Sequence, residues 1–525
     1  MASAVNASPD SSSPWCPYTT ATWLALGGVL ILAAVPRLYE LDRVNYWFDE
    51  SFTLKMAEYG PLELLQRLTE DTHPPLFYFI LQAWIALFAP LGVSPRGLSV
   101  VCGLATVAGV YVTVLEAFRF GKPQDVSGPR QQAQFAATLA GLLVALSPLH
   151  ISWSNQVRMY SLMTALAAIS SWLLFRALRP DATRRDWIAF TVITSLQMYT
   201  HYYALFLVAA EYLFALVYLW RASPPSERSS APNETTVLLS AAGVYLLFLP
   251  WQVPFWDQRA RVDESFHTRP LTWSAAGETL GQSFDLHLAV PVTGEIGLLI
   301  ALVLIVVLTI LFRSGYPGLI YLGAAGLTPF IAGVVVSLGM RNVFATRYVM
   351  SGQMFLLASI AAAIAMAPAR RIRPLIAAAI VAGAGWLTLE QCLIRRGHAE
   401  LPGMREAMRY LDSRRHPDEP VVVVNPMLFT TLVQYTRERA GVRVIGDAGS
   451  YPYYQGTAAM REDEYVSRSE LEPAAAKRLW TVDADKWFGG AWVAPIPRGW
   501  KEVGRTRFRD FYAEIVIRRY EPDGL

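Results

Sequence analysis

The stretch "PPLFYFILQAWIALFAP", Pro74 to Pro90, decides how this chain is threaded. It is apolar almost throughout and framed by prolines. About 15 of its residues are usable as helix, and at ~1.5 Å rise each they reach ~22 Å, short of a hydrocarbon core of ~30 Å. It is therefore either a short span or a helix lying in the membrane interface. The choice sets the side on which everything before it sits.

The rest of the chain supplies the context. Its 525 residues are 53% hydrophobic and 17% charged, with mean hydropathy +0.30. Soluble chains carry about 25% charged residues. Apolar runs recur at 21–40, 96–118, 132–148, 160–178, 187–200, 202–220, 236–252, 293–312, 316–338, 344–367 and 374–393. The expected fold class is a polytopic α-helical membrane protein with about eleven transmembrane helices. Cys16, Cys102 and Cys392 lie far apart and give neither a disulfide framework nor a metal-ligand spacing. Residues 1–20 are polar and lack Lys and Arg, so they do not read as a signal-peptide n-region, and the first run is expected to stay as a helix. The net charge of +3 carries no sign of nucleic-acid binding.

Basic residues settle the sides. One set of short loops holds Arg119, Lys122 and Arg130, then the Arg176–Arg185 cluster, Arg221 and Arg228, Arg313, and Arg370, Arg371 and Arg373. The opposite set holds less than half as many, among them Arg158, Arg259, Arg261 and Arg347. The positive-inside rule places the richer set in the cytoplasm. If 74–90 does not span, residues 1–20 form a cytoplasmic tail, and 41–95, 149–159, 253–292, 339–346 and everything after 394 face outward. Arg37 and Arg43 beside the first span run against this arrangement. The spanning reading would instead put Asp49 and Glu50 in the cytoplasm. The non-spanning reading is adopted, with an interfacial or re-entrant helix at 74–90.

On that topology the unusual polar residues gather at one rim. "NYWFDESFTL" (Asn45–Leu54) sets Asp49 and Glu50 among aromatics; "EDTHPPL" carries His73; "SPLHISWSNQVRMY" carries Arg158 and Tyr160; "YTHYY" carries His201 and Tyr202; "WDQRARVDESFHTRP" carries Arg261; "GMRNVFATRY" carries Arg347 and Tyr348. Each has a plainer reading. The acids could favour a helix N-terminus, the arginines could snorkel, and the tyrosines could form an aromatic belt. Their co-location points to a site, because ionisable groups are costly at a membrane. Arginine suits a lipid phosphate, since its planar fork donates several hydrogen bonds and stays charged. A phosphate leaving group needs no general acid, whereas an acceptor hydroxyl needs one base. Glycoside hydrolysis normally uses two carboxylates. The set therefore favours glycosyl transfer from a polyprenyl-phosphate sugar.

Five segments in order, "WFDESFTL", "DTHPPLFYFILQAWIALF", "PRGLSVVCGLATVAGVYVTVLEAFRFG", "ALSPLHISWSNQVRMYSLMTALA" and "RYVMSGQMFLLASIA", resemble the GT-C fold membrane glycosyltransferases. The similarity is greatest to bacterial relatives of the protein O-mannosyltransferases and to the aminoarabinose transferase of lipid A, and it covers roughly residues 20–370. "RARVDESFHTRP" is similar to an outer-loop segment of that subfamily, with His267 where an aromatic is usual. The resemblance implies a catalytic acid in the first outer loop, matched by Asp49 with Glu50 beside it, and interfacial helices within that loop. It also implies a cationic phosphate site, for which Arg158 and Arg347 are the candidates, with His73 and Tyr348 adjacent. Tyr160, His201, Tyr202 and Arg261 are expected to bind substrate. Some GT-C branches hold a divalent metal with acidic motifs. "NQVRMY" offers no second acid, so a metal is not favoured and no cofactor is firmly implied.

The expected partners are a polyprenyl-phosphate-linked sugar, membrane lipids, and an acceptor that is a protein, lipid or glycan. The expected location is the cell membrane, with the active site outside the cytoplasm. The transmembrane unit is expected over 21–397. From 398 to 525 the pattern changes to a small extracytoplasmic α/β domain: a helix at "MREAMRYLDS", a buried strand at "PVVVV", a helix at "MLFTTLVQYTRER", and strands at "VRVIG" and "FYAEIVIRRY". It contains no GxGxxG or P-loop. The alternative function is a polytopic lipid or polysaccharide transporter or flippase. Transporters tend to show repeats and broken helices with midplane polar groups, and neither is clear here.

Overall fold

The computed structural model describes residues 19–120, 127–222, 232–265, 270–339, 342–473, 477–487 and 490–523. Most of the expected polar tail, and His267, lie outside these residues. The helices are α1 (Thr20–Leu38), α2 (Phe48–Met56), α3 (Pro61–Glu70), α4 (Leu76–Phe88), α5 (Arg96–Arg119), α6 (Ser127–Ala145), α7 (Pro148–Ser154), α8 (Tyr160–Ala177), α9 (Arg184–Met198), α10 (Ala204–Ala222), α11 (Glu234–Phe248), α12 (Gln252–Ser265), α13 (Trp273–Ser283), α14 (Gly294–Arg313), α15 (Pro317–Gly339), α16 (Met350–Met366) and α17 (Arg373–Ala399).

Each of the eleven apolar runs is a helix. Among the described residues eight are long and apolar enough to cross a membrane, or nine if α6 and α7, bent by 58° at their junction, count as one span. The others are α9, with 15 residues, and α16, with 17. The protein is a multi-pass membrane protein. Inside the bundle, apolar packing against lipid tails gives no net hydrophobic drive, so close contact has to hold the helices together. Gly109 on α5 meets Ala168 on α8, and Gly318 on α15 lies against the backbone of Ala117 on α5; a side chain at either would collide. Thr106 and Thr164 add a hydroxyl contact of 3.0 Å between α5 and α8.

Three helices fill the first loop. α3 is amphipathic, burying Leu64 and Leu68. α4 has 13 residues, so it reaches only ~20 Å. It buries Phe77, Tyr78 and Leu81.

The C-terminal part begins with α18 (Gly403–Asp412) and α19 (Pro426–Leu432), which flank β1 (Val421–Val423). β2 (Val442–Ile445), β3 (Tyr465–Val466), β4 (Leu479–Trp487), β5 (Gly490–Trp492), β6 (Trp500–Arg509) and β7 (Glu514–Pro522) follow. The sheet order is β3-β2-β1-β4-β7-β6, with β5 paired to β4. β1 to β4 run parallel, and β7 and β6 close the sheet antiparallel. The helix expected through Arg439 stops at Leu432. Asp412 accounts for the stop: its carboxylate accepts from Thr436 Oγ1 (2.7 Å) and from the Arg437 amide (2.9 Å), drawing that amide out of helical register.

This domain sits on the first loop. Tyr46 donates its amide to Tyr435 Oη (2.5 Å), Lys55 pairs with Glu464 (2.7 Å), Tyr59 Oη donates to Ala459 O (2.7 Å), and Arg67 Nη1 donates to Ala458 O (3.0 Å) and Met460 O (2.7 Å). The helix that carries Asp49 is thus held from above by the end of the chain.

Candidate active site

Asp49 and Glu50 occupy the first turn of α2, where carboxylates interact well with the helix dipole, but neither caps a backbone amide of that helix. Being adjacent on a helix, they point about 100° apart, and their fates differ. Glu50 is 2% exposed. It takes a two-point ion pair from Arg96, with Nε to Oε1 at 2.7 Å and Nη2 to Oε2 at 2.8 Å, and accepts the Val157 amide at 3.0 Å. Arg96 also donates to the carbonyls of Leu41 (2.5 Å) and Val44 (2.9 Å). Glu50, grouped with Asp49 as catalytic and expected to orient it or to bind the acceptor, has these bonds as its partners. Both its oxygens are spent in a buried clamp that fixes α2 to the start of α5 and to the turn before α8.

That turn supplies the next side chain. Val157 is held by Glu50, so Arg158 is held toward Asp49. Its Nη1 donates to Asp49 O (3.3 Å) and Thr53 Oγ1 (3.0 Å), and its Nη2 lies 4.0 Å from Asp49 Oδ2 and 3.2 Å from His73 Nε2. Arg158 is 3% exposed, whereas Asp49 is 21% exposed. His73 Nδ1 is 2.8 Å from Asp71 Oδ2. Because Arg158 can only donate, the bonding pattern makes Nε2 the acceptor and puts the imidazole proton on Nδ1, toward Asp71. Asp71, which the sequence reading passed over, thus sets the tautomer of His73.

Arg347 comes from the segment between α15 and α16. Tyr203 Oη anchors that segment by donating to Val343 O (2.6 Å). Its guanidinium lies 5.0 Å from the Tyr348 ring centre and donates from Nη2 to Tyr348 Oη at 3.3 Å. The Nε of Arg347 and that of Arg158 are both buried without a hydrogen-bond partner among the described residues. No carboxylate among them lies within ion-pair distance of Arg347. The rings of Tyr160, His201 and Tyr348 join the two arginines, at 5.5 Å for Tyr160–His201, 5.1 Å for His201–Tyr348 and 6.2 Å for Tyr160–Tyr348. Burial, then the charges of Arg158 and Arg347, hold His201 well below the usual imidazole range, so it stays neutral.

Asp49, His73, Arg158, Tyr160, His201, Arg347 and Tyr348 therefore form one cluster. Two expected substrate residues are engaged elsewhere. Tyr202 Oη is bonded to Gln258 and accepts from Trp251 Nε1 at 2.9 Å. Arg261 donates to the carbonyls of Thr69 (2.5 Å), Glu70 and Asp71. Tyr202 ties α12 to the turn between α9 and α10, whereas Arg261 ties α12 to the first loop and fixes the backbone just before His73. A sign of Arg96 was present in the sequence: a cation at the first residue of a helix opposes the dipole and calls for a partner. Among the described residues no group of three or more His, Cys, Asp or Glu is placed to hold a metal ion.

The chain superposes on ArnT from Cupriavidus metallidurans bound to undecaprenyl phosphate with TM-score 0.58 at 14% identity, covering 95% of this chain and 98% of that one. The chain has the GT-C membrane glycosyltransferase fold. The apo state of the same ArnT gives the same figures for this GT-C chain. The Archaeoglobus fulgidus oligosaccharyltransferase, in complex with Zn and sulfate, is more distant, at TM-score 0.44 and 12% identity over 90% of this chain and 74% of that one. Residues 72–253 match the dolichyl-phosphate-mannose-protein mannosyltransferase family. Comparison with curated protein sequences returns no match.

Proposed function

We propose that this GT-C chain is a glycosyltransferase that moves a sugar from a polyprenyl-phosphate donor to an acceptor hydroxyl on the outer face of the cell membrane. The observation that carries the reading is the buried guanidinium of Arg158 and the part-buried one of Arg347, each with a buried, unpaired Nε, and with one partly open carboxylate, Asp49, 4.0 Å from Arg158. Burying such cations with little compensation is costly unless an anion joins them. A lipid phosphate answers both that charge and the apolar surroundings. The undecaprenyl phosphate bound to ArnT in the same fold supports that choice.

The bond from sugar C1 to the phosphate oxygen breaks with its electron pair going to the phosphate, where the arginines stabilise the charge. The acceptor oxygen forms the new bond to C1 from the opposite side and passes its proton to Asp49. Glu50 and Arg96 position α2, Asp71 and His73 orient Arg158, and Tyr160, His201 and Tyr348 line the floor. The excess of Arg and Lys in one set of loops supports an outward-facing site, a cytoplasmic tail over 1–20, a transmembrane unit over 21–397 and an extracytoplasmic domain over 398–525. The acceptor is a hydroxyl of a protein, lipid or glycan.

Asp49→Asn tests the assignment. Transfer from the lipid donor is expected to fall by about 10²–10⁴-fold, with donor affinity kept within a few-fold. Full activity in that variant would refute Asp49 as the base. Lipid translocation without sugar transfer by the wild-type chain in proteoliposomes would refute the glycosyltransferase reading.

A further inference from the structure

The C-terminal domain does more than cover the first loop. Between β2 and β3 it sends a segment, Tyr453 to Glu464, down onto α2 and α3. That segment is fastened by the carbonyls of Ala458, Ala459 and Met460 and by the Glu464 ion pair to Lys55. At its head, Gly456 turns at φ +85°, and its α-carbon faces the rings of Phe48, just before the acidic pair, and Phe52, one turn on. Such a φ strains any side chain, and a Cβ there would press on those rings at 3.1–3.3 Å.

Just before this turn stand two polar side chains that the segment does not satisfy. Tyr453 Oη and Gln455 Oε1 are both buried with no hydrogen-bond partner among the described residues. A buried, unpaired hydroxyl or carbonyl oxygen is unfavourable, and native chains keep few of them without a use. Tyr453 is within electrostatic reach of Asp71 and Tyr348, so its segment lies beside the cluster. Burial, then Asp71 and Tyr348, pushes its phenol up to about 12, which keeps it a proton donor. One strong donor and one acceptor, beside the neighbouring Tyr454 ring, match the alternating hydroxyls and apolar faces of a sugar.

Resting on the transferase reading above, we propose that Tyr453 and Gln455, delivered by the C-terminal domain, bind the hydroxyls of the sugar carried by the donor lipid. The sugar is bonded to the phosphate, so its ring lies next to the arginines, and the Gly456 turn, packed on Phe48 beside Asp49, brings Tyr453 and Gln455 to the same cluster. The acceptor approaches C1 from the opposite side. Neither polar atom is open to solvent in this closed arrangement. Sugar entry displaces the segment, and the two groups re-engage on the ring. The membrane part thus holds the phosphate, and the C-terminal domain reads the sugar.

The test uses the full chain in detergent, with Tyr453→Phe and Gln455→Leu. The probes are undecaprenyl phosphate alone and undecaprenyl phosphate carrying a single hexose or aminopentose from a small panel. Wild type is expected to bind one sugar-bearing lipid more tightly than the bare lipid. Each variant is expected to lose about 5–10-fold in affinity for that lipid, as for one neutral hydrogen bond, and to bind the bare lipid as wild type does. The unliganded Tyr453→Phe protein is expected to melt no lower than wild type, because the hydroxyl it loses is unpaired. Variants that bind both lipids as wild type does, or lose both equally, would overturn the sugar-reading role and leave the transferase reading intact. So would a wild type that binds the bare lipid as tightly as every sugar-bearing one. A wild type that binds neither kind of lipid would overturn both.

Discussion

Replacing Glu50 by Gln separates a holding role from a chemical one. The native carboxylate meets Arg96 through two charged bonds of 2.7 and 2.8 Å and also takes the Val157 amide. Glutamine keeps one acceptor oxygen and the shape but leaves the Arg96 charge buried without its counterion. Breaking one side of a buried ion pair costs 3–5 kcal/mol; with one acceptor retained, about 3 kcal/mol is expected, roughly a 150-fold shift in the folding equilibrium. Arg96→Met is expected to cost at least as much, because it strands Glu50 and the carbonyls of Leu41 and Val44. The double variant is expected to be less destabilised than the two single effects added together, with a coupling of about 2–3 kcal/mol. Unfolding in detergent at fixed protein concentration gives these values, and sugar transfer per folded molecule gives the chemistry. The reasoning is refuted if Glu50→Gln is as stable as wild type yet as inactive as Asp49→Asn, or if the coupling is near zero. Either result would put Glu50 among the reacting groups.

Arg347→Ala is expected to weaken binding of undecaprenyl phosphate by about 10–100-fold, the effect of losing a charged hydrogen bond worth 1.5–3 kcal/mol. Arg347→Lys is expected to recover part of it, since lysine keeps the charge without the fork. Unchanged affinity in the alanine variant would remove Arg347 from the phosphate site. Asp510 accepts the amides of Met404 (2.8 Å) and Phe511 (2.8 Å), and burial pushes its carboxyl up from 3.8 to about 6. A folded-state value above the unfolded one means that the folded chain holds the proton more tightly, so stability is highest at low pH and declines as pH rises from about 4 to 6, by about 3 kcal/mol at most. Asp510→Asn is expected to remove that share of the decline, and identical unfolding midpoints against pH in the two proteins would refute it.

Much of the bundle was legible because a lipid-crossing helix must satisfy its backbone internally and present apolar side chains, and both demands are written locally. The residues of the candidate cluster were legible where a residue type was out of place for its depth, as with Asp49, Arg158 and Arg347, which the fold brings together. Pairings were not. The partner of Glu50 lies 46 positions away on another helix, so adjacency to Asp49 suggested a shared task that their 100° separation on α2 denies. Tyr202 and Arg261 looked as functional as His201, since only the fold shows that Gln258 and three loop carbonyls occupy them. In the C-terminal domain β6 was missed because its burial alternates with charged positions such as Arg505 and Arg507, the pattern of a half-exposed strand at a sheet edge.

The contact between Lys55 and Glu464 spans 409 positions of sequence. A ribosome adding 5–20 residues per second makes the two ends roughly 20–80 s apart. Throughout that interval the helix bearing Asp49 lacks its ceiling, although the bundle around it is being laid down. Until then α2 is held from one side alone, by the Glu50 pair with Arg96 and by Arg158, and its outer face is left without the carbonyls and the Glu464 carboxylate that meet it in the finished fold.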